Sequence, residues 1–172
     1  MKKLLVVVDY QNDFVNGALG FEKALLLEDG IADKILEFES NDDDVVFTLD
    51  THYEDYMETV EGQNLPVKHC IKNTFGHEVY GSVKNMSLVH PNFEKLTFGS
   101  SKLFEYLKDN NYDEVYLCGV VTNICVISNA VVCKTALPNA KIFIYKDLVA
   151  SNDPVMEEKS FDVMKNLHMN II

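Results

Sequence analysis

The chain has 172 residues, 47% apolar and 24% charged, with few Gly and Pro; this excludes a disordered or low-complexity chain and fits one domain. No apolar run approaches the ~20 residues of a membrane helix. A net charge of −12 repels phosphate backbones and argues against nucleic-acid binding, while the absence of Arg weighs against a polyanionic substrate.

The first element is a β-branched run, Lys3–Val8. Its apolar part is shorter than the ~7–15 residues of a secretory core and ends at Asp9, so it reads as a strand of a cytoplasmic protein. Ile31, Ile35 and Phe38 recur at helical spacing. The turn Asn41–Asp44 leads into a second strand, Val45–Leu49. Leu88–Val89 and Glu94–Thr97 add short strand pieces. Ser101–Asn110 is a helix with Ser100 or Ser101 as its cap. Glu114–Cys118 is a third strong strand, and Thr122–Leu137 a helix apolar nearly all round, ended by Pro138. Lys141–Tyr145 is the fourth, and Asp153-Pro154 starts a last helix. Nothing marks a linker or repeat, so residues 1–172 read as a single domain. Strands alternating with helices predict an α/β fold, a mostly parallel sheet with helices on both faces.

In such sheets ligands sit beyond the carboxyl ends of the strands. Asp9, Lys95 and Cys125 all fall there. Cys70, Cys118 and Cys133 read as small core residues in a reduced chain. Cys125, in the first turn of its helix, would have a thiol acidified by the helix N-terminus and by an ammonium. Asp9 can take the thiol proton and return it to a leaving amine, and Lys95 can balance the charge. Backbone N–H groups of Val121 and Cys125 are candidate oxyanion donors. Each residue alone also has a structural explanation.

A second constellation is Asp50-Thr51-His52 with His69 seventeen positions after His52, and Glu61 as an added carboxylate. Two residues at i and i+2 aim their side chains to one side. Mixed N/O ligands suit zinc, with iron or manganese as alternatives.

Together these segments resemble the isochorismatase-like cysteine hydrolases, and within them the nicotinamidase/pyrazinamidase branch. Asp9-x-Gln11-x-Asp13-Phe14 resembles the opening motif, Lys95 with Thr97-Phe98 the lysine segment, and Gly119–Val126 the nucleophile motif. Asp50-x-His52 and Leu65–Ile71 resemble the metal site. The resemblance implies a Rossmann-like three-layer fold, a non-proline cis peptide between Val120 and Val121, and a dimer or tetramer. It also implies that Asp50, His52 and His69, with Glu61 in some members, hold a metal that binds a pyridine nitrogen. Two departures stand out: Asn123 replaces the usual Asp, and Leu65 replaces a Trp. Phe14, Tyr53, Leu65 and Phe98 are therefore the expected pocket walls.

The implied function is hydrolysis of nicotinamide, or a similar small heteroaromatic amide, through a thioester on Cys125, as in NAD salvage. A carbamoyl or ureido amide is the rival substrate class, and a non-enzymatic metal-binding domain the rival of another kind.

Overall fold

Six strands arise from the apolar runs: β1 (Lys3–Val8), β2 (Asp44–Asp50), β3 (Asn92–Lys95), β4 (Glu114–Val120), β5 (Lys141–Ala150) and β6 (Asn170–Ile171). In the computed structural model, which describes residues 1–172, they form one sheet in the order β3-β2-β1-β4-β5-β6. Every pairing is parallel, so the expected mostly parallel sheet is wholly so.

Side-chain alternation along β1 divides the core. Leu4, Val6 and Val8 pack with α6 (Ser101–Asp109), α7 (Ile127–Ala136) and α8 (Pro154–Asn166). Leu5 and Val7 pack with α1 (Asn12–Val15), α2 (Glu22–Leu25), α3 (Glu28–Ser40) and α5 (Val83–Ser87) on the other face. Each fully buried Val or Leu of this strand contributes roughly 1.5–3 kcal/mol. A short helix, α4 (Val60–Asn64), lies beyond the carboxyl edge of β2. No helix is long and apolar enough to cross a membrane.

The helix ends follow the chemistry of their caps. Ser100, not Ser101, caps α6 by accepting from the Leu103 N–H at 3.1 Å. Asp153 caps α8 by accepting from the Met156 N–H at 3.0 Å, with Pro154 in the first turn.

Three expectations are corrected. Leu88–Val89 is no strand: both side chains are exposed in the turn after α5, and β3 begins at Asn92. Thr122–Leu137 is not one buried helix: a π-helical turn, Thr122–Val126, precedes α7, and Ile124 and Val131 are each 40% exposed. Cys125 therefore sits in that π turn rather than in the first turn of an α-helix.

The chain runs from β1 outward to β2 and β3, then crosses to β4 on the other side of β1. The switch point lies between β1 and β4, where ligands of such sheets bind. Val8 is in register with Gly119 there. Gly119 adopts φ +109, and a Cβ at this position would collide with the Val8 carbonyl. Only glycine lets the two strands approach so closely.

Candidate active site

Asp9 leaves β1 with φ 46 and is fully buried. Its Oδ1 accepts from Thr48 Oγ1 at 2.7 Å. Its Oδ2 lies 2.6 Å from Lys95 Nζ, an ion-pair contact out of hydrogen-bond alignment, and has no aligned donor. Lys95 ends β3 in register with Asp50 at the end of β2. Its Nζ also lies 3.3 Å from Asp50 Oδ1 and 3.5 Å from Cys125 Sγ, and donates to the Thr97 carbonyl at 3.0 Å. One buried ammonium thus touches two carboxylates and a thiol, delivered by β1, β2, β3 and the turn after β4. The Val120–Val121 peptide just before that turn is cis.

Burial alone would push the Lys95 ammonium down. The carboxylate charges of Asp9 and Asp50 outweigh it and hold Lys95 protonated, and the Cys125 thiolate adds to this whenever it forms. Burial pushes the Asp9 carboxyl up against the pull of Lys95, and the nearby Asp50 charge adds to the rise. That makes Asp9 a stronger base than an exposed carboxylate. Burial also pushes the Cys125 thiol well up, with Asp9 adding and Lys95 opposing. The expected acidified thiol is thus corrected: the ammonium is present, but desolvation and the Asp9 charge outweigh it. Cys125 rests as a neutral thiol beside a base. Its alkylation by iodoacetamide is expected to rise about tenfold per pH unit from pH 6 to 9, tracking the thiolate fraction. A plateau near pH 7, read by peptide mass spectrometry, would contradict this. Cys70, Cys118 and Cys133 are fully buried and do not compete.

The second cluster shares Asp50. Its Oδ2 lies 3.0 Å from His52 Nε2 and 3.3 Å from His69 Nε2; Glu61 Oε1 lies 3.5 and 3.7 Å from the same two nitrogens. All four ligand atoms fall within 4.8 Å of one another. The edge of a tetrahedron with bonds of about 2.0–2.1 Å is about 3.3 Å; the four carboxylate–imidazole distances lie near it, and a small inward shift of the side chains would let the set hold a zinc-sized ion. His69 Nδ1 lies 2.7 Å from the Val67 carbonyl, an outer contact that orients the ring with Nε2 facing the cluster. The rings of Phe14 and Tyr56 pack on His69, at centroid distances of 5.5 and 5.1 Å.

Burial would raise Asp50. Hydrogen bonds from His52 and His69 and the Lys95 charge outweigh it and hold the carboxyl well below its usual range. Burial would lower His52, but its hydrogen bonds to Asp50 and Glu61 raise it to about 9. A metal must displace that proton. Zinc binding at pH 7 is therefore expected to release about one proton from His52, and its affinity to climb with pH up to about 9. Calorimetry in buffers of different ionisation heat reads this, and zero proton release would contradict it.

The opening motif supports the metal cluster as well as the thiol. Gln11 clamps the Asp50 backbone: Nε2 donates to the Asp50 carbonyl at 2.9 Å and Oε1 accepts from its N–H at 2.8 Å. Asp13 Oδ2 accepts from the Cys70 N–H at 2.7 Å, next to His69. Asn123 Oδ1 accepts from Ser151 Oγ at 2.6 Å, so the Asn at this position is engaged in a hydrogen bond.

A cavity of about 380 Å³ opens over Cys125, Asp50, Glu61 and His69. Phe14, Leu65 and Phe98 are among its walls. Tyr53 is not: it is 48% exposed and lines a neighbouring hollow. Sequence reasoning missed Phe21, Ile124 and Asn152 as cavity walls, because nothing in their local pattern marks them. It also missed Asn129, whose signal was a lone amide four residues after Cys125 on an apolar helix. Asn129 is fully buried; its Nδ2 donates to the Cys125 and Phe98 carbonyls at 2.9 and 3.0 Å, and Oδ1 accepts from the Ser100 N–H at 3.0 Å.

Fold and site define a doubly wound, wholly parallel α/β protein with a buried Asp–Lys–Cys cluster beside a group of four side chains that could hold a metal ion. The chain belongs to the isochorismatase family, whose domain description, "Isochorismatase domain", matches residues 3–172. Among solved structures, it is similar to the nicotinamidase PncA from Bacillus subtilis, with 32% identity, TM-score 0.87 and 99% of each chain covered. It is also similar to a pyrazinamidase of Pyrococcus horikoshii in complex with zinc, with 25% identity, TM-score 0.85, and 100% and 99% of the two chains covered. A third similar structure is an N-carbamoylsarcosine amidase from Thermoplasma acidophilum, with 28% identity, TM-score 0.81, and 99% and 95% covered.

Proposed function

We propose that this protein hydrolyses nicotinamide, or a close heteroaromatic carboxamide, to the acid and ammonia, with Cys125 as nucleophile. The observation that carries the reading is the single Lys95 ammonium in contact with Asp9, Asp50 and Cys125 beside a cavity lined by Cys125, Asp50, Glu61 and His69. The similarity to a nicotinamidase and a zinc-bound pyrazinamidase supports the substrate class and the choice of zinc.

The chemistry runs on protons held by the chain itself. Asp9 accepts the Cys125 thiol proton as sulfur attacks the amide carbon, and the carbonyl oxygen becomes an oxyanion. Backbone N–H groups of Val121 and Cys125 stabilise that charge. Asp9 then gives its proton to the amide nitrogen, the C–N bond breaks, and ammonia leaves. A thioester remains on Cys125. Asp9 takes a proton from water as its oxygen attacks the thioester; the acid departs and the proton returns to sulfur. Lys95 stays protonated throughout and holds Asp9 in place. A zinc ion held by Asp50, His52, His69 and Glu61 would supply a Lewis-acid anchor for a ring nitrogen. Phe14 and Phe98 offer apolar walls for the ring.

Ammonia release by zinc-loaded protein tests the reading. Turnover of nicotinamide and pyrazinamide is expected, at a kcat/KM well above that for a carbamoyl compound such as N-carbamoylsarcosine. The reverse order would transfer the function to the carbamoyl class, which is favoured by the similarity to a carbamoylsarcosine amidase and by Leu65 in place of a Trp.

A further inference from the structure

A second hollow, of about 870 Å³, lies beside the reaction cavity. The two share Glu61, Leu65, Phe98 and Ile124 as a common wall. That wall is built, not loose. The Leu65 carbonyl accepts from Tyr56 Oη at 2.8 Å, the Phe98 carbonyl from Asn129 Nδ2 at 3.0 Å, and the Ile124 carbonyl from Ser128 Oγ at 2.7 Å. Yet the three apolar side chains remain 38%, 44% and 40% exposed. On the far side, Val60 and Leu96 extend the apolar surface, at 77% and 67% exposure. Contiguous apolar surface of this kind marks a binding groove, and the volume falls within the range of small-molecule sites. Its shared wall with the Cys125 cavity ties its occupant to the substrate.

On the amidohydrolase reading above, we infer that this hollow is a subsite for the acyl part of the substrate. The amides used best are then aromatic carboxamides carrying an apolar substituent that passes the Leu65–Phe98–Ile124 wall and rests against Val60 and Leu96. The carboxamide stays at Cys125, and the substituent leaves water for the hollow. Burying apolar carbon in this way increases kcat/KM about two- to fourfold per added methylene.

Steady-state kinetics on zinc-loaded protein tests this, with nicotinamide and its 5-alkyl and 6-alkyl derivatives, methyl to butyl. At one of the two ring positions, kcat/KM is expected to climb along the series, with butyl at least tenfold above nicotinamide. Val60→Trp, which fills the hollow from an exposed position, is expected to cut the butyl-to-nicotinamide ratio at least tenfold; Leu96→Trp is an independent second filler. A decline with chain length at both positions, or fillers that slow all amides equally, would overturn the subsite while leaving nicotinamide hydrolysis standing. Ammonia release from no member of the series would remove the amidohydrolase reading and the subsite together.

Discussion

Replacing Cys125 with Ala is expected to lower ammonia release from nicotinamide by at least about 10⁴-fold, the scale seen when a nucleophile is removed from a catalytic unit. The loss should fall on kcat. The cavity walls, Asp50, Glu61 and His69 are untouched, so substrate affinity measured by calorimetry should change little. Stability should also hold to within about 1 kcal/mol, since the sulfur lost borders the reaction cavity and its removal enlarges existing space. Cys125 is 5% exposed, so an inert core thiol would share its burial. What separates the two readings is the Lys95 ammonium 3.5 Å from sulfur and the carboxylate on its other side. Turnover surviving in the Ala variant would reduce Cys125 to packing.

Lys95→Met is expected to lose both activity and stability. It removes the charge that faces the buried carboxylates of Asp9 and Asp50. Breaking a buried pair by deleting one partner costs about 3–5 kcal/mol, because the other charge stays desolvated. The pH dependence has a defined sign. Burial already pushes Asp9 above its ordinary 3.8, and without the ammonium it rises further. A carboxyl whose pKa is higher in the folded state favours folding when protonated, and that contribution is lost as pH rises through the folded value. The variant should therefore gain more stability than the wild type as pH falls from 8 toward 5, since the raised His52 contributes a gain to both and the variant's further-raised Asp9 adds to it. Urea unfolding at both pH values, with chelator present, reads this. Equal pH profiles would mean that Lys95 is not the counter-charge of Asp9.

The sheet was legible because its strands are short β-branched runs buried on both faces; β1 begins and ends where its apolar pattern does. β5 was cut short at Tyr145 because Lys146 and Asp147 interrupt the pattern, yet backbone pairing with β4 continues to Ala150 past a register shift. The helices α1, α2, α4 and α5 have four or five residues each, too few for a period to declare itself. In the site, Asp9, Asp50 and Lys95 were legible because each follows or ends a strand, where side chains of a parallel sheet converge. Phe21 and Asn152 were not, since their approach to Cys125 depends on how distant loops close. Nor was the protonation of Cys125. A sequence displays the neighbouring Lys95 but not the desolvation that opposes it. Asn129 falls between: its position was visible, but its three hydrogen bonds depend on where the Lys95 segment passes.

The central claim is a thioester on Cys125, and nucleophile partitioning tests it most directly. Hydroxylamine added during turnover competes with water for the acyl group. If nicotinamide and methyl nicotinate pass through one thioester, both should give nicotinohydroxamic acid and nicotinic acid in the same ratio above the uncatalysed background, and Cys125→Ala should give neither above that background. Turnover without hydroxamate, or different ratios from the two substrates, would contradict a shared acyl-enzyme and the role assigned to Cys125.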